Sequence, residues 1–245
     1  MTDGAHVVPG TRLDDADFTG VRLHGPNFER TRITDGWFPD TDLSGDVSGL
    51  RVNGVLVAPL IEAELDRRHP ERVRLRATDP AGLLDGWSVI EDLWARLVAR
   101  ALALPPGAAE ERVDGEWSFV ETLRHLVMAT DCWCSRMIHG EVAPYHPWGM
   151  AGSFLDPSVL HLDYDARPTL DEMLEVRAGR MAGVRATIES ATAASLAAVC
   201  TPPDQVGHPR EPHTALECLH VVLNEEWEHG QYAARDLTVL EERGS

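Results

Sequence analysis

The chain has 245 residues, 43% of them apolar, which suffices for one good core and a small appendage. A net charge of −18 opposes binding to a polyanion, so nucleic acid and an anionic membrane surface are not expected as partners. All 22 basic residues are arginine, which rules out a P-loop lysine, a Schiff-base lysine and a Ser-Lys dyad. No apolar run approaches a membrane span and no charged-then-apolar leader opens the chain, so a cytoplasmic location is expected. Cys132, Cys134, Cys200 and Cys218 lack zinc-finger or CxxC spacing, and reduced thiols follow.

The first sixty residues repeat. Leu13, Phe18, Leu23, Phe28, Ile33, Phe38 and Leu43 recur at every fifth position, with small or polar residues such as Ala16, Thr31 and Thr41 between them. A period of five fits neither a helix nor a flat strand. It fits a four-sided solenoid with the large apolar residue of each five pointing inward, and the units ADFTG and TDLSG resemble the pentapeptide-repeat family. The expectation is a short right-handed quadrilateral β-solenoid over residues 1–60, of fewer than two full coils.

Residues 61–79 read as a linker with a short helix from Ile61 to Arg68, stopped before Pro70. Just upstream, Asn53-Gly54 suits a tight turn. Residues 80–243 carry four long helical patterns. The first runs from Ala81 to Leu104 and stops at Pro105-Pro106; the second runs from Ser118 to His139 and stops at Gly140. The third runs from Thr169, its N-cap, to about Ala197, and the fourth from His213 to about Glu241. The connection between the second and third is nearly thirty residues long and contains PYHPWGM, rich in aromatic and turn residues. A mainly α protein, a four-helix bundle with one long crossover, is the simplest architecture.

Glu225 and His229 stand four apart in the last helix, so their side chains project from one face and can grip one divalent metal. At 100° per residue, Leu219, Val222, Ala233, Leu237 and Leu240 define the apolar face; His229 falls inside that arc and Glu225 at its edge. A rival trio, His213, Glu217 and His220, falls opposite beside Asn224 and Glu226, and reads as a solvated face. An inward carboxylate needs a cation, a proton or water. With no lysine, that cation is an arginine or a metal, and spacing alone does not choose between them. His125 lies at the margin of the second helix's apolar stripe with Met128, Ala129 and Cys132, where an ordinary boundary histidine is the commoner occupant. Cys132 either lines a site or is a buried inert thiol.

His125-Leu126 in the second helix and His229-Gly230-Gln231 in the fourth resemble the DinB superfamily, over about residues 81–240. A carboxylate one turn before the last histidine resembles the mycothiol-dependent isomerase and thiol-transferase branch. The resemblance implies a DinB-like metal-binding bundle with His125, Glu225 and His229 as ligands, and a homodimer built through the helices. It implies a divalent metal, zinc first with nickel or iron as alternatives, and a thiol cosubstrate such as mycothiol. The expected function is metal-dependent transfer of a low-molecular-weight thiol to a small electrophile, with Tyr145, His146 and Trp148 of the loop, and Cys132, meeting substrate. Two readings compete: Fe(II) oxygen chemistry at the same triad, and a non-catalytic metal-binding interaction protein. The chain departs from the isomerases by lacking their extra C-terminal domain and carrying the N-terminal repeat.

Overall fold

The computed structural model describes residues 10–23, 25–152, 158–204 and 206–244. His6, His24 and residues 153–157 of the long connection lie outside them. The chain divides into two compact units, residues 1–47 and 48–245.

The described part of the first unit repeats its backbone as its sequence does. Gly10, Asp15, Gly20, Gly25, Arg30, Asp35, Asp40 and Gly45 all have positive φ, from 52° to 128°, so the chain turns at every fifth residue. Glycine and aspartate tolerate this region better than most residues. Turn bonds from Val21 N to Phe18 O and from Thr31 N to Phe28 O, both 3.0 Å, close two of the corners. The seven apolar residues of the repeat, Leu13 to Leu43, are 51% to 64% exposed. Among the described residues of this unit no strand forms, so the expected β-solenoid is not seen as a hydrogen-bonded sheet.

The second unit opens with a hairpin, β1 (Arg51–Val52) and β2 (Val55–Leu56), paired Arg51 to Leu56 and Val52 to Val55. Asn53 and Gly54 have φ of 49° and 80°, the doubly left-handed turn that suits a two-residue hairpin loop. Helix α1 (Ala58–Arg68) leads into a 3-10 helix, Pro70–Arg76. Buried Arg72 of that 3-10 helix reaches Glu62 at 2.6 Å and Asp66 at 3.1 Å on α1.

Four long elements form the bundle. Helix α2 (Pro80–Ala103) starts at Asp79, whose side chain accepts from Gly82 N, with Pro80 in the first turn. Helix α3 (Phe119–Thr130) starts at a capping box between Ser118 and Glu121 and passes directly into a π-helix, Asp131–Ile138. Helix α4 (Leu170–Glu189) starts at a second capping box, Thr169 with Glu172. The chain then breaks, so the expected third helix does not run on to Ala197; a short α5 (Ala193–Ala197) starts afresh at the Thr192 cap. Strand β3 (Val199–Cys200) pairs antiparallel with β4 (His213–Thr214), and α6 (Ala215–Gly244) follows. His213 therefore belongs to a strand, edge-on to Trp133, rather than to the last helix.

Helices α2 and α3 each pack against both α4 and α6, which closes a ring of four around one core. Trp87 and Ile90 of α2, Leu123 and Leu126 of α3, Met173 and Ile188 of α4, and Leu219 and Leu223 of α6 are almost wholly buried. The apolar arc read on the last helix is buried throughout, at Leu219, Val222, Ala233, Leu237 and Leu240.

Glu226 overturns one expectation. It is 1% exposed and ion-paired with Arg177 of α4, which is 4% exposed and stacked over Trp94 at 4.5 Å. At 100° per residue it stands only about 20° from Leu219, inside the apolar arc rather than on the solvated face. The core arginine with an acid partner exists, but the acid is Glu226 and not Glu225. His220 is half-buried and bonds the Ala77 carbonyl at 2.8 Å, so it too is more than a solvated side chain.

Removing one partner of a buried ion pair leaves the other charge uncompensated. Glu226→Ala is therefore expected to lower unfolding free energy by about 3–5 kcal/mol, read by urea denaturation. Asn224→Ala, two residues away and exposed, is expected to change it by less than about 0.5 kcal/mol in the same assay.

Candidate metal centre

His125 leaves the middle of α3, and Glu225 and His229 leave α6 one turn apart. The packing of α3 on α6 brings the three together. Glu225 Oε2 stands 3.1 Å from His125 Nε2 and 3.3 Å from His229 Nε2. All three ligand atoms lie within 4.8 Å of one another. Two donors bound to one tetrahedral zinc at ordinary bond lengths stand about 3.3–3.5 Å apart, so the cluster needs little adjustment to close on a cation. Side-chain exposures of 15% at His125, 19% at His229 and 32% at Glu225 leave the donors reachable from solvent.

The long connection orients His125. Nδ1 of His125 lies 3.0 Å from the Met150 carbonyl, which can only accept; that nitrogen therefore carries a proton, and Nε2, which faces Glu225 at 3.1 Å, is the nitrogen that would give its lone pair to a metal in place of that hydrogen bond. Buried Arg124, next in the chain, holds the same segment in place. Its guanidinium donates to the carbonyls of Trp148 at 2.7 Å, Asp163 at 2.7 Å and Ala166 at 3.0 Å, while Met150 N donates to the Arg124 carbonyl at 3.3 Å.

Behind the other histidine, Gly230 gives α2 room. A Cβ there would lie 2.6 Å from Leu93 Cδ2, so the glycine after His229 serves close helix packing.

Burial alone would raise the Glu225 carboxyl, but hydrogen bonds to His125 and His229 outweigh it and hold it at about 2. The pair formed by spacing on α6 is thus completed by a histidine from another helix, and the triad of the sequence reading is assembled.

The remaining expected residues are not among the three converging donors. His146 is edge-on to Trp148 at 5.2 Å, its Nδ1 accepting from Trp148 N and its own backbone N–H donating to Asp131. Asp131 is buried at the start of the π-helix and is also held by Arg180 of α4 at 3.0 Å. Tyr145 abuts Gly207 and Arg136, where a Cβ on Gly207 would collide with its hydroxyl oxygen at 2.0 Å. Trp148 packs on the bundle core. Cys132 is 3% exposed in a small cluster with Met128 and Leu160, and burial first, then Asp131, pushes its thiol far up.

Trp117 carried no signal in the sequence reading, yet it lies against both imidazoles. Its ring centre is 4.8 Å from that of His125 and 6.1 Å from that of His229, nearly parallel to the latter at 20°. It stands one residue before the Ser118 cap, outside the helix, where helical spacing from His125 gives no signal.

A family model described as the DinB superfamily matches residues 55–233. No curated protein and no solved structure matches the chain.

Cys132, Cys134 and Cys218 are buried, and burial raises all three thiols, Cys218 to about 12. A thiol-specific disulfide reagent at neutral pH is expected to titrate only the half-buried Cys200 in native protein and all four cysteines after denaturation. The Glu225 carboxyl has its own signature in metal-free protein. Because its folded value lies below the usual 4.5, its contribution is full above pH 4.5 and drains away as pH falls toward about 2. The stability advantage of wild type over Glu225→Gln should shrink across that window in urea titrations at successive pH values.

Proposed function

The chain belongs to the DinB superfamily, a metal-binding family in general, and from that premise we propose that it is a metal-dependent transferase joining a low-molecular-weight thiol, of the mycothiol kind, to a small electrophile. One observation carries the reading: a carboxylate and two imidazoles from two helices converge, with one imidazole already turned by a carbonyl so that its other nitrogen faces the carboxylate. His125, Glu225 and His229 would hold the metal, with zinc favoured and nickel or iron as alternatives. When bound, a divalent cation favours thiolate over thiol at neutral pH.

The chain's own residues define the rest. Met150 and Arg124 fix the His125 ring. The Glu225 carboxylate offsets positive charge at the centre. None of the three buried cysteines suits the role of nucleophile, because each is shielded and its thiol is held protonated. In this reading the reacting sulfur comes from a cosubstrate. Its thiol proton leaves to solvent; as the sulfur–carbon bond forms, the π bond at the electrophilic carbon breaks, and the atom that receives that electron pair takes up a proton from solvent.

For residues 1–60 we propose a short right-handed quadrilateral solenoid of pentapeptide type. Apolar residues at every fifth position and left-handed backbone at every fifth residue both support it. Small molecules rather than nucleic acid or membrane are the proposed partners, in a cytoplasmic protein that pairs as a homodimer. Among the described residues no helix is long and apolar enough to cross a membrane.

Elemental analysis tests the reading directly. Protein reconstituted with zinc and desalted is expected to keep about one metal per chain, with His229→Ala remaining folded and losing at least about tenfold in affinity. Wild-type protein that retains no zinc, nickel or iron would remove the basis for catalysis. Anaerobic thiol transfer by zinc- or nickel-loaded protein would separate this reading from iron-dependent oxygen chemistry.

A further inference from the structure

We propose that Trp117 is the specificity-determining residue of this site, an aromatic wall beside both metal-binding imidazoles that selects a flat, conjugated electrophile over a charged or non-planar one. The inference rests on the metal-centre reading and concerns what lies next to the donors. The Trp117 ring meets the His125 ring at 4.8 Å and the His229 ring at 6.1 Å, while Tyr232 meets His229 edge-on at 5.8 Å. Trp117 and Tyr232 are both half-buried, so each keeps some surface toward solvent.

A clamp holds the wall in place. Glu116, the preceding residue, is ion-paired with Arg235 of α6 at 2.6 Å, and Ser118, the following one, caps α3. Glu121 completes that cap and is itself gripped by Arg112 at 2.5 Å. Trp117 is thus tied at one side to α6 and at the other to α3, the two helices that supply the ligands.

The arginine over this wall is already engaged. Arg235 lies over the Tyr232 ring at 5.7 Å, but its guanidinium is already bonded to Glu116 and to Asp236 at 2.7 Å. An anion drawn to Arg235 would have to displace those carboxylates. A planar π-system needs only the ring faces, where aromatic pairs add to ordinary apolar burial.

Equilibrium dialysis with 4-nitrobenzyl alcohol, a flat and unreactive probe, tests this against cyclohexylmethanol, its non-planar counterpart. Wild type, Trp117→Phe and Trp117→Leu are compared in metal-free and zinc-loaded forms, with circular dichroism to verify folding. Wild type is expected to prefer the aromatic probe by about three- to tenfold, the range one aromatic contact carries. Trp117→Leu should lose that preference and Trp117→Phe should keep it within about twofold. Equal binding of the two probes by wild type, or an unchanged preference in Trp117→Leu, overturns the proposal. Zinc content of the same samples reports on the triad separately: a Trp117-dependent preference in protein that holds no zinc would leave the wall standing and remove the metal centre.

Discussion

Holding an acid between two imidazoles from different helices is the constraint on which the structure turns. Glu225 is flanked by apolar packing on α6, and a carboxylate there costs free energy unless its charge is met. His125 and His229 meet it, each within 3.3 Å. That arrangement only exists if α3 and α6 pack at one register, so everything that fixes those helices bears on the site. Gly230 sets the approach of α2 behind His229, and the Arg177–Glu226 pair joins α4 to α6 one residue beyond Glu225.

The long crossover is the second determinant. A connection of that length is commonly functional or disordered. Here Arg124 gathers three of its carbonyls, and the segment returns a fourth, Met150, to the neighbouring histidine. One helical residue thus organises the loop and the next receives the benefit. The π-helix that follows turns Asp131 inward to hold His146 N and Arg180, a second anchor for the same loop. Wide helical turns of this type often accompany functional sites.

Adjacent acids on α6 serve different ends. Glu225 faces two histidines and Glu226 faces an arginine, although they are consecutive and both are partly or wholly removed from water. A rotation of 100° changes the neighbours entirely, so composition alone cannot assign their roles. The tryptophan has a different cause: Trp117 lies outside α3, and the clamp through Glu116 and Ser118 holds it over the imidazoles.

Local chemistry made much of the architecture readable in advance. Ser118 with Glu121 and Thr169 with Glu172 announce two helix starts, Pro105-Pro106 ends another, and Asn53-Gly54 turns a hairpin. Each acts within four residues, through caps, missing donors or tolerated φ. The i, i+4 relation of Glu225 and His229 is equally local. What the sequence could not decide was contact between elements. His125 looked like a boundary histidine until α3 met α6, Glu226 found its arginine on α4, Trp117 gained its neighbours, and Met150 gave the carbonyl that sets a tautomer. Those choices depend on helix register and loop path, which are fixed by the joint packing of the core and by no short stretch of chain.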